Sequence, residues 1–406
     1  MLFEKALQLE KPWEIKEVKF DEVKKILNIY LDFPKGSLFA CPTCGSSVKA
    51  YDTTEKRWRH LNFFQHECHL IARVPRINCE KDGILTVSLP WARPGSDFTL
   101  LFEALVLTLI REIPVKKLEK IINVDDNKLW RIVHTYVDEA RSHEDYSDVR
   151  DIGIDETAMR RGHSYVTQFV NLKERRTIFV AEGKDASTID KFRDDLIEHN
   201  GSPKNIEAAS IDMSPAFISG LQYKFPGAQI IYDKYHIIKI LNNAVDKVRK
   251  EEIVQQTILR NSKYVWLKNR ENLTEKEKAF IAKIESMPEL NLKTYKALQM
   301  RENFQEIYKE KTPEEFEKSL KKWYFWACHS RLEPMIEASQ TIKRHWNGVL
   351  KWFEKKINNG ILEGLNSLIQ AAKSKARGYR TFKNFSTMIY LITGKLDLDG
   401  LFTHSN

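Results

Sequence analysis

Five short segments rich in β-branched and aromatic residues lie between Asp151 and Tyr232, and they constrain the fold more than any other feature of the chain. The segments are DIGIDE, SYVTQFVNL, TIFVAEG, IEAASIDMS and AQIIYD, and a helix-like stretch from Ser187 to Glu198 precedes the fourth. Strands with interposed helices predict an α/β sheet. From about Ile237 to Asn358 the chain instead reads as helix rich in Lys and Glu. This pattern predicts an all-α insertion, followed by a final helix from Ile361.

The 406 residues exceed what one ordinary core holds, so we expect two or three domains. The net charge of +9 favours a polyanionic partner such as nucleic acid. Charges at Glu4, Lys5, Glu10 and Lys11 leave no secretory signal visible. The longest apolar run, from Leu100 to Ile110, is far shorter than the roughly 20 residues of a membrane span. We therefore expect a soluble, cytoplasmic protein with no membrane partner.

Helical spacing begins near Asp97. The first helix has an apolar stripe that consists of Phe98, Leu101, Leu105, Leu109 and Ile110. A short helix from Val115, a turn at Asn123 and a capped helix from about Asp125 follow, which is the order of a helix-turn-helix module. The residues that the last helix would present to a DNA groove are Asn127, Lys128 and Arg131. The alternative is a plain three-helix packing unit.

Two aspartates follow apolar strand residues, where a carboxylate needs a cation or dense hydrogen bonding to stay charged. In VRDIGIDE, Ile152 and Ile154 fall on one face and Asp155 on the other, and IEAASID ends in the same way at Asp212. Two acidic strand ends in one sheet can share a metal, and oxygen ligands favour Mg²⁺ or Mn²⁺. The alternative is that Asp155 caps a turn and Asp212 caps the helix after Ser214.

The final helix carries one carboxylate at its head and then only basic charges. Its predicted apolar stripe consists of Ile361, Leu365, Leu368 and Ala372. Glu363 projects to the opposite side, which it shares with Asn366. The basic residues that follow and would contact DNA are Lys373, Lys375, Arg377 and Arg380. A single carboxylate at the head of a basic helix fits a site that works on a nucleic-acid backbone, whereas the alternative is an exposed basic helix.

Four stretches closely resemble transposases of the ISL-three insertion-sequence family: IDETAMRRGHSYVTQFVNL, AASIDMSPAF, IIYDKYHIIKILNNAVDKVR and EGLNSLIQAAKSKARGYRTFKNF. The resemblance implies a ribonuclease H-like sheet interrupted by a helical insertion and preceded by a zinc-binding domain and a helix-turn-helix. It also implies that Asp155, Asp212 and Glu363 bind two Mg²⁺ or Mn²⁺ ions. Asp233 and His236 would flank this site, or else form a hydrogen-bonded pair that stabilises a strand-to-helix turn.

The N-terminal cysteines carry the resemblance with one departure. Alternation in WEIKEVKFDEVKKILNIYLDF predicts a β-hairpin that leads into this region. Cys41 and Cys44 are spaced as one half of a structural Zn²⁺ site, for which relatives supply a second cysteine pair. Here the second pair reads Cys79 and Asp82. The other candidates for the fourth ligand are His66, Cys68 and His69. The alternative is a metal-free small domain.

The resemblance, taken with the residues above, implies a multidomain α+β enzyme that binds the terminal inverted repeats of an insertion sequence. It would hydrolyse a phosphodiester at each end and join the freed 3′-hydroxyl to target DNA, two in-line displacements that one two-metal site can serve. Pairing two DNA ends implies at least a dimer on DNA. The rival interpretations are a domesticated DNA-binding regulator and a structure-specific nuclease on the same fold.

Five chain segments are expected to have different roles. The segments are 1–96 (β-rich and zinc-ribbon-like), 97–145 (helix-turn-helix), 146–240 (first part of the catalytic domain), 241–358 (all-α insertion) and 359–406 (last catalytic helix and C-terminus). The acidic residues next to the expected triad, Asp151 and Glu156, serve as internal controls, because their amides are expected to retain most activity.

Overall fold

A computed structural model describes residues 2–7, 9–160, 164–355 and 360–398. These residues form two compact units. The first unit contains the described residues of Met1–His143, Ala372–Arg377 and Leu396–Asn406. The second unit contains those of Glu144–Ala371 and Gly378–Lys395. None of the helices in this described part of the chain is long and apolar enough to cross a lipid bilayer.

The first unit contains a short helix, α1 (Leu2–Ala6), and a six-stranded sheet. The strands are β1 (Glu14–Asp21), β2 (Ile26–Asp32), β3 (Leu38–Ala40), β4 (Ser47–Phe63), β5 (His66–Cys79) and β6 (Gly83–Thr86). β1 and β2 pair antiparallel, which confirms the predicted hairpin. β2 runs parallel to β5, and antiparallel pairs add β4 and β6 to β5 and then β3 to β4.

Aromatic side chains form the core of this sheet. Trp91 packs edge-on against Trp13 and Trp58, with ring centroids 4.8 Å and 5.7 Å apart. Every second residue of β2 is buried in the same core, because successive residues of a strand point to opposite faces. The N-terminal region therefore has a hydrophobic core of its own.

Three helices follow in the first unit, α2 (Leu100–Ile110), α3 (Val115–Ile122) and α4 (Asp126–Ser142). The hydroxyl of Thr99 caps α2, and Asn123 ends α3 in the left-handed conformation with φ 53°. The Asp125 carboxylate accepts the N–H of Asn127 and so caps α4. These elements confirm the predicted order of helix, short helix, turn and capped helix.

The buried face of α2 differs from the predicted stripe. Leu101 is 51% exposed and Leu105 is 37% exposed, so the prediction was wrong for these two residues. The helix instead buries Phe102, Glu103, Val106, Leu107 and Ile110. The sequence LLFEALVLTLI is apolar on nearly every side, so periodicity alone does not select the face that packs.

The second unit contains a five-stranded sheet. Its strands are β7 (Asp151–Ala158), β8 (Tyr165–Asn171), β9 (Arg176–Glu182), β10 (Ala208–Ile211) and β11 (Gln229–Tyr232), in the spatial order β11-β10-β7-β8-β9. β7, β8 and β9 pair antiparallel, whereas β10 runs parallel to both β7 and β11. The five predicted strands are confirmed, and their order is that of the expected ribonuclease H-like sheet.

Three helices connect or follow the parallel strands, α5 (Ser187–Glu198), α6 (Pro215–Lys224) and α7 (Lys234–Glu252). Phe192 of α5 stacks on Phe169 of β8 with ring centroids 4.3 Å apart, and Phe225, just after α6, stacks on Phe192 at 5.8 Å. Helices and sheet therefore share one core. The bounds of α5 are those predicted from the sequence.

The part of the insertion that the structure describes, up to residue 355, consists of helices and the segments that connect them, which confirms the predicted helical character. Its helices are α8 (Lys263–Leu267), α9 (Glu275–Glu285), α10 (Lys293–Ile307), α11 (Pro313–Cys328), α12 (Glu333–Arg344) and α13 (Trp346–Lys355). Capping boxes built on Thr274 and Thr312 begin α9 and α11. The Trp323 indole is buried and donates a hydrogen bond to the Met300 carbonyl at 2.8 Å, so this tryptophan belongs to the core.

The penultimate helix, α14 (Gly360–Ala376), lies close against β7 because Gly153 has no side chain. A Cβ at Gly153 would come within 2.8 Å of Leu362 Cδ2. The buried residues of α14 are Leu362, Leu365 and Ile369. Leu368 is 52% exposed, so the predicted apolar stripe was wrong at this position.

A last helix, α15 (Phe382–Thr393), was not predicted from the sequence. Its Tyr390 hydroxyl accepts the N–H of Val180 at 2.8 Å, and the hydroxyl groups of Thr393 and Thr177 are 2.7 Å apart. α15 therefore packs along β9 at the edge of the sheet.

Candidate functional site

Asp155 lies inside β7 rather than at its end, because the strand continues to Ala158. This corrects the predicted position at a strand end. Asp155 Oδ1 accepts the N–H of Glu156 at 2.8 Å, and Oδ2 accepts the side-chain amide of Asn366 on α14. Asn366 Oδ1 accepts the hydroxyl of Thr157 at 2.8 Å. The Asn366 amide therefore joins α14 to β7 directly at the carboxylate.

Asp212 follows β10, the strand beside β7. Its Oδ1 accepts the N–H of Ser214 at 2.8 Å, so Asp212 stabilises the turn into α6. A carboxylate accepts several hydrogen bonds or metal bonds at once, so this turn contact leaves room for a further ligand.

Asp233 follows β11 and begins α7. Its Oδ1 accepts the N–H of Tyr235 at 2.7 Å, and its Oδ2 lies 2.9 Å from Nδ1 of His236. The hydrogen-bonded pair that was one alternative for these two residues is thus present in the structure. It places a carboxylate and an imidazole beside the ends of β10 and β11.

Electrostatic coupling joins these side chains into one cluster. Burial raises the pKa of Asp155, and the negative charges of Asp233 and Asp212 raise it further. Burial acts to lower the pKa of His236, but the hydrogen bond to Asp233 and the charges of Asp155 and Asp212 raise it overall. A protonated His236 would offset part of the repulsion among the carboxylates.

Two members of this cluster were not assigned to the site from the sequence. Burial raises the pKa of Glu156, and the charge of Asp212 raises it further, so Glu156 is coupled to the site. Asn366 was predicted on the polar face with Glu363, yet it faces Asp155. The available signal was its position four residues after Leu362, which places both on one side of the helix.

Glu363 is exposed in the first turn of α14 and lines a cavity of about 720 Å³ together with Asp233. Among the described residues, two groups of His, Cys, Asp or Glu side chains bring three or more possible metal-ligand atoms within 4.8 Å of one another. Neither group contains Asp155, Asp212 or Glu363. Asp155, Asp212 and Asp233 therefore influence one another electrostatically. Glu363 lines the same cavity as Asp233. The ligand atoms of Asp155, Asp212 and Glu363 do not lie within 4.8 Å of one another.

One of those two groups consists of Cys41, Cys44, Cys79 and Asp82. Asp82 Oδ2 lies 3.3 Å from Cys41 Sγ and 3.4 Å from Cys79 Sγ, and the sulfur atoms of Cys44 and Cys79 are 3.5 Å apart. Sulfur ligands around a tetrahedral zinc ion lie about 3.8 Å apart, given Zn–S bonds of about 2.3 Å. The four side chains therefore fit one zinc ion.

The structure disfavours two of the other candidates for the fourth ligand. Cys68 is buried and does not belong to the group of ligand atoms that Cys41, Cys44 and Cys79 form. His69 Nδ1 lies 2.9 Å from the Arg57 guanidinium. Asp82 is the candidate that lies with the three cysteines.

The residues predicted to contact DNA lie on α4, on α14 and just after α14. The side chains of Lys128 and Arg131 are 51% and 58% exposed and lie 3.8 Å and 3.6 Å from Asp97. The Asn127 amide donates to Asp125 at 3.0 Å. The exposed residues of the second group are Lys375, Arg377 and Arg380, whereas Lys373 is half-buried. Their contact with DNA stays a prediction.

Comparison with known proteins gives matches along most of the chain. Residues 152–389, more than half of the chain, match a family profile described as a transposase. Residues 37–82 match the zinc-finger of transposase IS204/IS1001/IS1096/IS1165. Residues 87–137 match the helix-turn-helix domain of transposase family ISL3, the family written ISL-three above.

Two relatives extend this similarity over nearly the whole chain. The chain is 25% identical over 376 residues to the transposase for insertion sequence element IS1001 of Bordetella parapertussis, which covers 89% of this chain and 90% of that protein. It is 24% identical over 418 residues to the transposase for insertion sequence element IS1557 of Mycobacterium tuberculosis (strain CDC 1551 / Oshkosh), with 94% and 92% covered.

A ribonuclease H-like sheet, together with a zinc-ribbon domain and a helix-turn-helix, defines a DNA-binding transposase, an enzyme that acts on DNA. The chain belongs to the ISL3 family of insertion-sequence transposases.

Proposed function

We propose that Asp155, Asp212 and Glu363 together hold two Mg²⁺ or Mn²⁺ ions, and that this site cuts the ends of an insertion sequence and joins them to target DNA. The observation that carries the proposal is the position of Asp155. Its side chain is half-buried, and this desolvation raises its pKa, which the charge of Asp212 raises further. The same carboxylate is tied to the helix that carries Glu363. Like charges held together in partly desolvated surroundings favour a cation between them.

The donor set suits a hard divalent cation. Carboxylate oxygens are the ligands that Mg²⁺ and Mn²⁺ prefer. When bound, two such ions activate the attacking oxygen and stabilise the leaving oxygen of an in-line displacement at phosphorus. To bind the same ions as Asp155 and Asp212, Glu363 in the first turn of α14 must move closer to both aspartates than it lies in this structure.

Neighbouring side chains orient these carboxylates. The Asn366 amide and the Glu156 N–H hold Asp155 in one orientation, and the Ser214 N–H does the same for Asp212. The Asp233–His236 pair contributes an imidazole whose raised pKa favours a positive charge beside the DNA phosphate. His236 would therefore bind or orient the backbone, and Asn366 is a positioning residue.

The N-terminal segments supply the DNA-binding part of the proposal. Cys41, Cys44, Cys79 and Asp82 would hold one structural Zn²⁺ and so keep the sheet of the first unit folded. Residues 97–145 would bind the terminal inverted repeats through Asn127, Lys128 and Arg131. Lys373, Lys375, Arg377 and Arg380 would contact DNA from α14 and the segment after it. The five-segment division of the chain made from the sequence belongs to this proposal.

Two ends of one element must be held together for a joining reaction, so we also propose that at least two copies of the chain assemble on DNA. Wild-type protein should give a complex with two protein copies and two end duplexes, measured by light scattering after size-exclusion chromatography. A complex with one copy that still completes joining would contradict this part of the proposal.

The test uses full-length protein and duplexes that carry the inverted repeats flanking the gene. Asp155→Asn, Asp212→Asn and Glu363→Gln should each lose Mg²⁺-dependent strand cleavage and keep end-binding, because an amide preserves shape but not charge. Replacing Mg²⁺ with Ca²⁺ should support binding and not cleavage, since calcium holds the reacting oxygens in looser geometry.

Exposed acids of the same unit provide matched controls. Asp148→Asn and Glu198→Gln change the same chemical groups at surface positions and should cut like wild type. Cleavage by Glu363→Gln at the rate of these controls would refute the triad. Wild-type protein that cuts ends without ever joining them would favour a nuclease, and protein that binds ends without cutting would favour a regulator.

A further inference from the structure

The cavity beside Glu363 and Asp233 extends away from the carboxylates and into the helical insertion. Its walls come from the start of α7, the segment 267–272, α10 and α13, and all of them belong to the second unit. At about 720 Å³ it has the size of a pocket for one small-molecule-sized group and is too small for a duplex. The two metal-binding functions proposed above leave this space unexplained.

Four of the residues that line the cavity carry side-chain amides. The residues concerned are Asn242, Asn269, Asn272 and Gln305. The buried Arg301 guanidinium donates to Asn242 Oδ1 at 3.2 Å and to the Leu267 carbonyl at 2.9 Å, which fixes the wall. The Nδ2 donor of Asn242 takes no part in that bond.

Two of these amides, those of Asn269 and Gln305, form a hydrogen bond with each other. Gln305 Nε2 donates to Asn269 Oδ1 at 3.0 Å. Among the described residues neither Asn269 Nδ2 nor Gln305 Oε1 has a hydrogen-bond partner. The pair therefore offers one donor and one acceptor side by side, which is the pattern that reads the edge of a nucleobase.

An aromatic ring lines the same space. Trp352 is held by Tyr308, with ring centroids 4.6 Å apart in an edge-on arrangement, and by Phe316 at 6.2 Å. A ring fixed in this way offers a face or edge for contact with a base without further loss of conformational freedom.

The cations of the cavity do not make it a phosphate site. Lys268 is paired with Glu277 at 2.7 Å, and Lys234 lies over the Tyr308 ring, where burial lowers the pKa of its ammonium. Asp233 and Glu363 add negative charge at the other end. A cavity whose lysines are offset in this way suits an uncharged polar group better than a phosphate.

We propose that this cavity receives one nucleobase, unpaired and rotated out of the duplex at the DNA end, while the backbone beside that base lies at the carboxylates. The proposal rests on the proposed function, because only an enzyme that works at a DNA end brings such a base to the site. Asn269 and Gln305 contact the base edge and Trp352 contacts its ring. A base outside the helix anchors the end in one register, so cleavage occurs at one phosphodiester.

The test combines protein variants with altered DNA duplexes, as in a double-mutant cycle, and measures binding by full-length protein in Ca²⁺. End duplexes each carry one abasic site, moved through the positions that flank the cleavage point. Gln305→Ala and Asn269→Ala should weaken binding of the intact duplex by roughly 5- to 100-fold, the range of a two-bond base contact. At one abasic position, each variant and wild type should bind with the same dissociation constant.

Equal binding to that abasic duplex also shows that the variants are folded. Gln299→Ala removes an exposed amide from the same helix and should bind the intact duplex like wild type. If Asn269→Ala and Gln305→Ala bind every duplex like wild type, or lose the same factor on all of them, the cavity does not hold a base. If wild type fails to cut the ends in Mg²⁺, the proposed function fails independently of this cycle.

Discussion

Glu103 is a carboxylate inside the helix-turn-helix unit, and its removal gives a sharp test of how that unit is held together. Its side chain is 0% exposed. Ser96 donates to Oε1 at 2.6 Å, and Arg93 and Tyr136 donate to Oε2 at 2.9 Å and 2.7 Å. Burial and the nearby Glu103 charge raise the pKa of Tyr136, so its hydroxyl remains a donor. Donors from two other segments, the loop before α2 and helix α4, therefore converge on this side chain.

The cost of removing this group follows from its partners. Breaking a buried, hydrogen-bonded charge pair costs about 3–5 kcal/mol, because the remaining groups lose their compensation. The Arg93 side chain is 23% exposed, so water relieves part of that loss, and we expect about 3 kcal/mol for Glu103→Ala. Glu103→Gln keeps the volume and one acceptor oxygen and should cost about 2 kcal/mol.

Amide hydrogen exchange in the full-length protein measures this loss locally. A change of about 3 kcal/mol corresponds to a fall in protection of roughly 100-fold for peptides of α2 and α4. Peptides of β7 and β10, in the other unit, should keep their protection. Glu112→Gln alters an 80% exposed carboxylate at the end of α2 and should change protection little. Equal exchange in Glu103→Ala and Glu112→Gln proteins would refute the reasoning.

Three further predictions concern the first unit. Burial lowers the pKa of His60 to about 4, so the unfolded chain binds a proton there that the folded chain does not. Stability should therefore fall as the pH drops from about 7 to about 4, by up to ~3 kcal/mol, and His60→Gln should flatten that decline in thermal melting; an unchanged slope would contradict it. Cys41→Ser should reduce the zinc content from about one per chain, by metal analysis, whereas Cys328→Ser should not; wild-type protein purified without zinc would count against the site. Neutralising Lys128 and Arg131 together should lower the salt slope of end-binding by about two, and an unaltered slope would exclude them as phosphate contacts.

The strands and many helix ends could be predicted because local signals determine them. Short apolar segments mark β7 to β11, and Asp125 caps α4 through its own backbone neighbours. The faces that pack could not be predicted where a helix is apolar on several sides. Glu103 is buried on α2 only because Arg93, Ser96 and Tyr136 reach it from other segments.

The candidate site also contains residues that could be predicted from the sequence and residues that could not. Asp155 and Asp212 stand out in the sequence because each follows apolar strand residues. The role of Asn366 does not stand out, because it depends on how closely α14 approaches β7. A side chain at Gly153 would collide with Leu362 and prevent that approach. α15 was not predicted because its burial comes from contacts with β9.

A change of metal preference tests most directly whether Glu363 is a metal ligand. A thiolate binds Mn²⁺ better than Mg²⁺, because sulfur is a softer ligand than a carboxylate oxygen. Glu363→Cys should therefore lose end cleavage in Mg²⁺ and regain part of it in Mn²⁺. The matched control, Glu198→Cys, should cut with both metals. A Glu363→Cys protein that cuts at the wild-type rate with Mg²⁺, or that binds ends yet stays inactive with Mn²⁺, would contradict the ligand role of Glu363.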